Sequence, residues 1–218
     1  MGSLEFAAQQ LINGLSLGSI YALIALGYTM VYGIIQLINF AHGDIMMVGA
    51  YIGWFCTTVL KMAFLPALIV SMTLTAILGM LIERIAYKPL RKSTRLAALI
   101  TAIGMSFFLE YGGILAVGPQ TRTFPDVFPQ TLYHVGGVTF KLGDIIIILT
   151  SVILMAILNF VIKYTRIGKA MRAVSFDKDA SALMGINVDN TISATFAIGS
   201  SLAAAAGVLM GVYFNTIN

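Results

Sequence analysis

The sequence predicts an all-α fold: a polytopic transmembrane helix bundle with about six crossings, residues 1–218 forming one transmembrane domain. Three observations carry this. Of 218 residues, 59% are apolar and only 10% charged, where a soluble domain has about 25% charged. The uncharged stretches reach the ~20 residues a helix needs to cross ~30 Å of hydrocarbon. Ten of the thirteen Lys and Arg residues fall in two short segments. A soluble enzyme is excluded, and so is disorder, which requires low hydrophobicity and high charge. The apolar runs are continuous, without the dyad alternation of a transmembrane β-barrel. A single Cys supports neither an internal disulfide framework nor a Cys-based zinc site.

The elements follow in order. Phe6–Gly43 carries no charge, yet as one helix it would be about 57 Å long, too long for one crossing. We therefore expect an interfacial segment over Phe6–Asn13, a first span near Gly14–Ile35 and a break around Asn39–Asp44. The second span runs through Thr58, and the third covers Phe64–Ile82. The fourth covers Leu96–Val117, the fifth Asp144–Ile162 and the sixth Thr191–Phe214. Glu5, with no Lys or Arg before the apolar region, does not read as a signal peptide.

Charge sets the orientation. Arg84, Lys88, Arg91, Lys92 and Arg95 form one basic segment; Lys163, Arg166, Lys169, Arg172 and Lys178 form the other. Two spans separate them, so both face one side, which the positive-inside rule makes cytoplasmic. The N-terminus is then outside. The net charge of +4 is explained by orientation and calls for no nucleic acid. The outer loop, 118–143, holds Pro119, Pro125 and Pro129, and β-prone runs flank Gly136-Gly137, predicting a hairpin with a primed turn. It serves either as a surface cover or as a docking surface for an external partner.

Three GxxxG patterns occur, at Gly14/Gly18, Gly49/Gly53 and Gly207/Gly211; inside lipid such grooves let helix backbones approach closely. Asn39, His42 and Asp44 interrupt the apolar pattern. They form either a solvated turn, with Asp44 capping the second span, or part of a pathway or gate, because irregular polar backbone at membrane depth must be buried or line water. His42 and Asp44, with no Cys nearby, do not compose a metal site. Glu110 is the one carboxylate well inside a predicted span; it either faces a translocation path or snorkels to the outer interface. Trp54 and Cys56 read as packed or lipid-facing.

The second basic segment, 163–190, contains a short helix. Asp177 offers an N-cap, Lys178–Met184 about two turns, and Gly185 suits the C′ position. Ala180, Leu183 and Met184 fall at i, i+3 and i+4 and give it one apolar face. So short a helix is marginal alone; its face either lies on the membrane surface or enters a partner's groove. No GxxxxGK[ST] phosphate loop and no nucleophile–base pair is present, so if nucleotide hydrolysis drives the protein another subunit must supply it, and no cofactor is expected.

Gly14-Leu-Ser-Leu-Gly-Ser-Ile-Tyr-Ala-Leu-Ile-Ala-Leu-Gly-Tyr-Thr-Met-Val-Tyr-Gly33 and Ile38-Asn-Phe-Ala-His-Gly-Asp44 resemble the membrane permeases of branched-chain amino acid ABC importers, the LivH type. Glu83-Arg-Ile-Ala-Tyr-Lys-Pro-Leu-Arg91, Ala102-Ile-Gly-Met-Ser106, Arg166-Ile-Gly-Lys-Ala-Met-Arg-Ala and Leu183-Met-Gly-Ile-Asn187 are similar too. The resemblance covers essentially the whole chain and is weakest in the outer loop. It implies a second permease subunit, two cytoplasmic ATPase subunits and an external solute-binding protein, in a cell inner membrane. It also implies the coupling-helix role for the loop matching Arg166–Asn187, with Arg166, Gly168, Met171 and Arg172 joining Asp177, Ala180, Leu183, Met184 and Gly185 against the ATPase. Relatives that carry urea or short amides leave the substrate open. Chains of this family continue through at least two further spans, so this one is expected to be shortened at its C-terminal end. An ion-driven secondary transporter is the rival class; it would call for several intramembrane charges where Glu110 stands alone.

Overall fold

The computed structural model describes residues 3–36, 38–91, 93–129, 131–135 and 138–217. Six long helices run between two ends: α1 Ser3–Ile35, α2 His42–Thr58, α3 Phe64–Ile82, α4 Arg95–Val117, α5 Leu142–Tyr164 and α8 Val188–Phe214. Two short ones, α6 Arg166–Phe176 and α7 Lys178–Leu183, lie between α5 and α8. A π-helical turn, Glu83–Tyr87, and a 3-10 turn, Lys88–Leu90, continue α3. Strands β1 Arg122–Thr123, β2 Leu132–Val135, β3 Val138–Lys141 and β4 Thr216–Ile217 gather at one end. β2 pairs antiparallel with β3, Leu132 opposite Lys141; the expected hairpin forms, and its Gly136-Gly137 turn lies outside the described residues. β1 pairs with β4, tying the outer loop to the end of α8.

Both basic segments share the opposite end, as two intervening crossings require. Arg91 of the first reaches Asp189 directly after the second. α2, α3, α4, α5 and α8 match the expected spans within a few residues. Among the described residues, five helices are long and apolar enough to cross a membrane: α1, α3, α4, α5 and α8. α2, with 17 residues, is about 25 Å long and falls short of the hydrocarbon depth by itself, although it too runs from the basic end to the strand end.

Two boundaries differ from expectation. α1 is unbroken over 33 residues, so Phe6–Asn13 is no separate interfacial segment. Nothing there breaks a helix: Gln9 Nε2 donates to Asn13 Oδ1 at 3.2 Å, and Ser16 Oγ donates to the Ile12 carbonyl at 3.1 Å. The added turns are covered by the hairpin, since Gln9 Nε2 donates to the Thr139 carbonyl at 2.7 Å and its Oε1 accepts from Thr139 N–H at 2.8 Å. The break also comes earlier. α1 ends at Ile35, Gln36 takes a left-handed φ of 58°, and His42 already begins α2. Asp44 therefore sits in the first turn of α2 and is not its cap; Ala41 holds the N-cap position without a side-chain bond.

α8 is the axis of the bundle, packed by α1, α2 and α3, and every residue from Leu202 to Leu209 is buried. Small residues make this possible. A Cβ on Gly49 would lie 2.5 Å from Cα of Ala204, and one on Gly207 2.4 Å from the Met46 carbonyl oxygen. Gly53 and Gly211 approach Val208 and Phe124 in the same way, so two of the three GxxxG motifs form packing grooves around α8. The third, Gly14/Gly18, has open space around both positions among the described residues. α4 and α5 turn large apolar side chains outward, among them Phe108, Leu115, Ile157 and Phe160, which suits contact with acyl chains.

Candidate functional site

The polar residues singled out at the break take three separate positions. Asn39 is buried, and its Oδ1 accepts from the Tyr87 hydroxyl at 2.8 Å. His42 is 3% exposed, meets Tyr28 edge-on at 5.6 Å, and has no hydrogen-bond partner at Nε2 among the described residues. Asp44 Oδ2 accepts from Ser106 Oγ of α4 at 2.5 Å. Tyr21, Tyr28, Thr29, Asn39, Phe40 and His42 line a cleft of about 540 Å³ between α1 and the start of α2. Glu110 is exposed on α4, one turn beyond Ser106 and thus on the same face. The structure brings Asp44 and Glu110 to one side of α4, while Asn39 stays within the break, bonded to Tyr87.

The elbow α6–α7 forms from strong local signals. Thr165 Oγ1 accepts from Gly168 N–H at 3.1 Å and caps α6; Asp177 Oδ1 accepts from Asp179 and Ala180 N–H at 2.9 Å and caps α7. At the other end Gly185 takes φ +83°. Its N–H donates to the Ala182 carbonyl and that of Ile186 to the Ser181 carbonyl, both at 3.0 Å, which is the Schellman pairing. On α7 the residues of the expected apolar face, Ala180, Leu183 and Met184, are exposed. Ser181 turns inward, while Leu183 is 89% and Met184 83% exposed, joined by Phe176 at 96%.

Two residues grouped with this surface point elsewhere. Gly168 is buried against the Val161 and Ile162 carbonyls, where a Cβ would come within 2.2 Å, and Met171 is 3% exposed inside the bundle. On an amphipathic helix one face must pack on the chain itself, and these residues belong to it together with Val174. Arg172 donates to the Ile162 carbonyl, fastening α6 to the end of α5. Arg166, Asp177 and Ala180 remain exposed.

Between the elbow and the break lies an ionic cluster that sequence reasoning did not single out. Glu83, fully buried, accepts from Arg91 Nη2 on one oxygen and from Ser193 Oγ at 2.6 Å on the other. Arg91 Nη1 reaches Asp189 Oδ1 at 2.5 Å, and Lys88 Nζ reaches Asp189 Oδ2 at 2.7 Å. The Lys178 ammonium of α7 is held below its ordinary pKa by partial burial and by the nearby Arg91 charge. A guanidinium suits this place because its planar fork can serve two carboxylates at once. One signal was available: Glu83 and Asp189 are carboxylates at span ends flanked by basic loops. That one guanidinium, Arg91, would join two carboxylates so far apart in the chain was not legible. The π-helical turn, a form frequent at functional sites, keeps Glu83 and Tyr87 both facing inward.

Trp54 has a structural task. Its Nε1 donates to the Thr123 carbonyl at 3.0 Å, and the Arg122 guanidinium lies 5.6 Å from the ring centre, holding the outer loop to α2. Cys56 is buried.

Comparison with known proteins follows this geometry. A family model described as the permease component of branched-chain amino acid transport systems matches residues 10–218. The high-affinity branched-chain amino acid transport system permease protein BraD of Pseudomonas aeruginosa is 42% identical, the alignment covering 96% of this chain and 72% of the relative. LivH of Salmonella typhimurium, named in the same terms, is 40% identical over the same shares. A probable LivH of Methanocaldococcus jannaschii is 26% identical, covering 88% of this chain and 62% of that one. No solved structure matches the chain. With several membrane-length helices and a family match over nearly its whole length, the chain is a multi-pass membrane protein that belongs to the family of branched-chain amino acid transport permease components.

Proposed function

We propose that this chain is the permease subunit of an ATP-driven importer, carrying branched-chain amino acids across the cytoplasmic membrane. The observation that carries the reading is the capped α7 at the basic end, whose exposed Leu183 and Met184, with Phe176 at the end of α6, have no cover among the described residues. Isolated apolar side chains on a surface are ordinary; three large ones on a rigid elbow between two spans suit a groove on a partner. The partners of the reading are a second permease subunit, two ATPase subunits on the side of the basic loops and a solute-binding protein on the strand side. The N-terminus is then outside.

The proposed mechanism uses the chain's own connections. α6 is locked to α5 through Gly168 and Arg172, and α7 passes into α8 through Met184–Asn187. A push on α7 by closing ATPases therefore moves α8, the axis on which α1, α2 and α3 pack, in a rigid-body rocking motion. Asn39, His42, Asp44 and Glu110 are the groups we assign to the path or its gate, with the cleft beside His42 as its opening toward α1.

Leu183→Asp and Gly185→Pro are expected to abolish uptake in cells while leaving membrane insertion intact, with loss of the ATPase from pull-downs. Retention of normal ATPase association by both variants counts against docking at α7. Competition of leucine against urea and short amides in the uptake assay decides the substrate. Uptake that survives ATP depletion but fails with the ion gradient would favour a secondary transporter.

A further inference from the structure

A buried carboxylate paired with a guanidinium contributes little net stability, because desolvating the charges offsets their attraction. Such a pair is better suited to fixing one arrangement of elements against another. Glu83 and Arg91 do this at a junction of four elements. Glu83 belongs to the π-helical turn after α3, Arg91 follows the 3-10 turn, Asp189 and Ser193 lie in the first turns of α8, and Tyr87 of the same π-helical turn bonds Asn39 in the break between α1 and α2. α7 is joined to α8 by only four residues, Met184–Asn187, and Asn187 caps α8 by accepting from Asn190 N–H at 3.0 Å. Displacement of α7 must therefore carry the first turn of α8 with it, and Arg91 grips that turn through Asp189.

Resting on the importer reading, we propose that Arg91 and Tyr87 are positioning residues: the chain Asp189–Arg91–Glu83 and the Tyr87–Asn39 bond carry motion of the α7 handle to the α1–α2 break. Neither residue touches substrate or nucleotide. Their loss separates hydrolysis from uptake and does not abolish either assembly or ATP turnover. Arg91→Lys keeps the charge but loses the fork that serves both carboxylates. Tyr87→Phe removes one hydroxyl and keeps the ring against Phe196.

The test is the ratio of amino acid taken up to ATP hydrolysed, measured in proteoliposomes holding the whole complex with its binding protein. For both variants we expect the ATPase to co-purify normally and hydrolysis to stay within about twofold, while uptake per ATP falls about tenfold. An unchanged ratio in Tyr87→Phe overturns the proposal, even where Arg91→Lys does not fold. A proportional fall of uptake and hydrolysis also overturns it, because that is the signature of a merely structural role. If the unsubstituted complex shows no ATP-dependent uptake, the importer reading itself fails and takes this proposal with it.

Discussion

Glu83 is a carboxylate removed completely from solvent, yet each of its oxygens has a partner, Arg91 on one and Ser193 on the other. The cost of burying a charge is met only while both partners stay in place. Glu83→Ala leaves Arg91 with one carboxylate fewer and is expected to destabilise the protein by about 3 kcal/mol, seen as a lower thermal midpoint in detergent. Ser193→Ala, which removes a neutral donor, costs about 1–3 kcal/mol. The glycines divide just as sharply. Gly49→Ala brings a methyl group 2.5 Å from the backbone of α8 and is expected to cost about 1–3 kcal/mol through overpacking. Gly18→Ala enters open space and leaves the midpoint of the isolated chain unchanged. Equal shifts for Gly49→Ala and Gly18→Ala would show that the α2–α8 crossing is not as close as the structure places it.

At the level of elements, α7 shows how much local chemistry can specify. Six residues cannot hold a helix by propagation alone, so the caps decide it. Asp177→Ala removes the acceptor for two N–H groups and costs about 1 kcal/mol. Exchange of the Asp179 and Ala180 amides is then expected to quicken about fivefold, while that of α8 stays as it was. The predicted helix, its Asp177 N-cap and its Gly185 C′ are all present, because each depends on neighbours within four residues. The elements that differ from expectation depend on distant partners. The first turns of α1 stay helical under a hairpin more than a hundred residues away. Inside α6, Gly168 and Met171 face inward because α5 and the bundle interior occupy that side.

At the scale of the whole molecule, the test is topological. Cysteines placed at Lys169 and Lys178 are expected to react with impermeant maleimide only after the cells are opened, and one at Lys141 in intact cells. The opposite pattern would reverse the orientation and remove the ATPase from the reach of α7. The alternation of ends was legible because the charge-free lengths and the basic segments are properties of the sequence alone. Which helix becomes the axis was not. α8 and α4 look alike as apolar stretches, but α8 carries Gly199, Ala203–Ala206, Gly207 and Gly211 and so admits three neighbours, whereas α4 turns Phe107, Phe108 and Leu115 outward.

The sequence by itself determined the class, the succession of long apolar helices running between two ends and the capped helix α7, since these follow from hydropathy, charge and bonds between near neighbours. Only the tertiary structure decided that Glu83, Arg91 and Asp189 form one cluster, that Asn39 bonds Tyr87 while Asp44 bonds Ser106, and that Gly14/Gly18 has open space around it among the described residues. Those are contacts between distant positions, and a side chain's partner in space is set by how the helices pack, which no local pattern encodes.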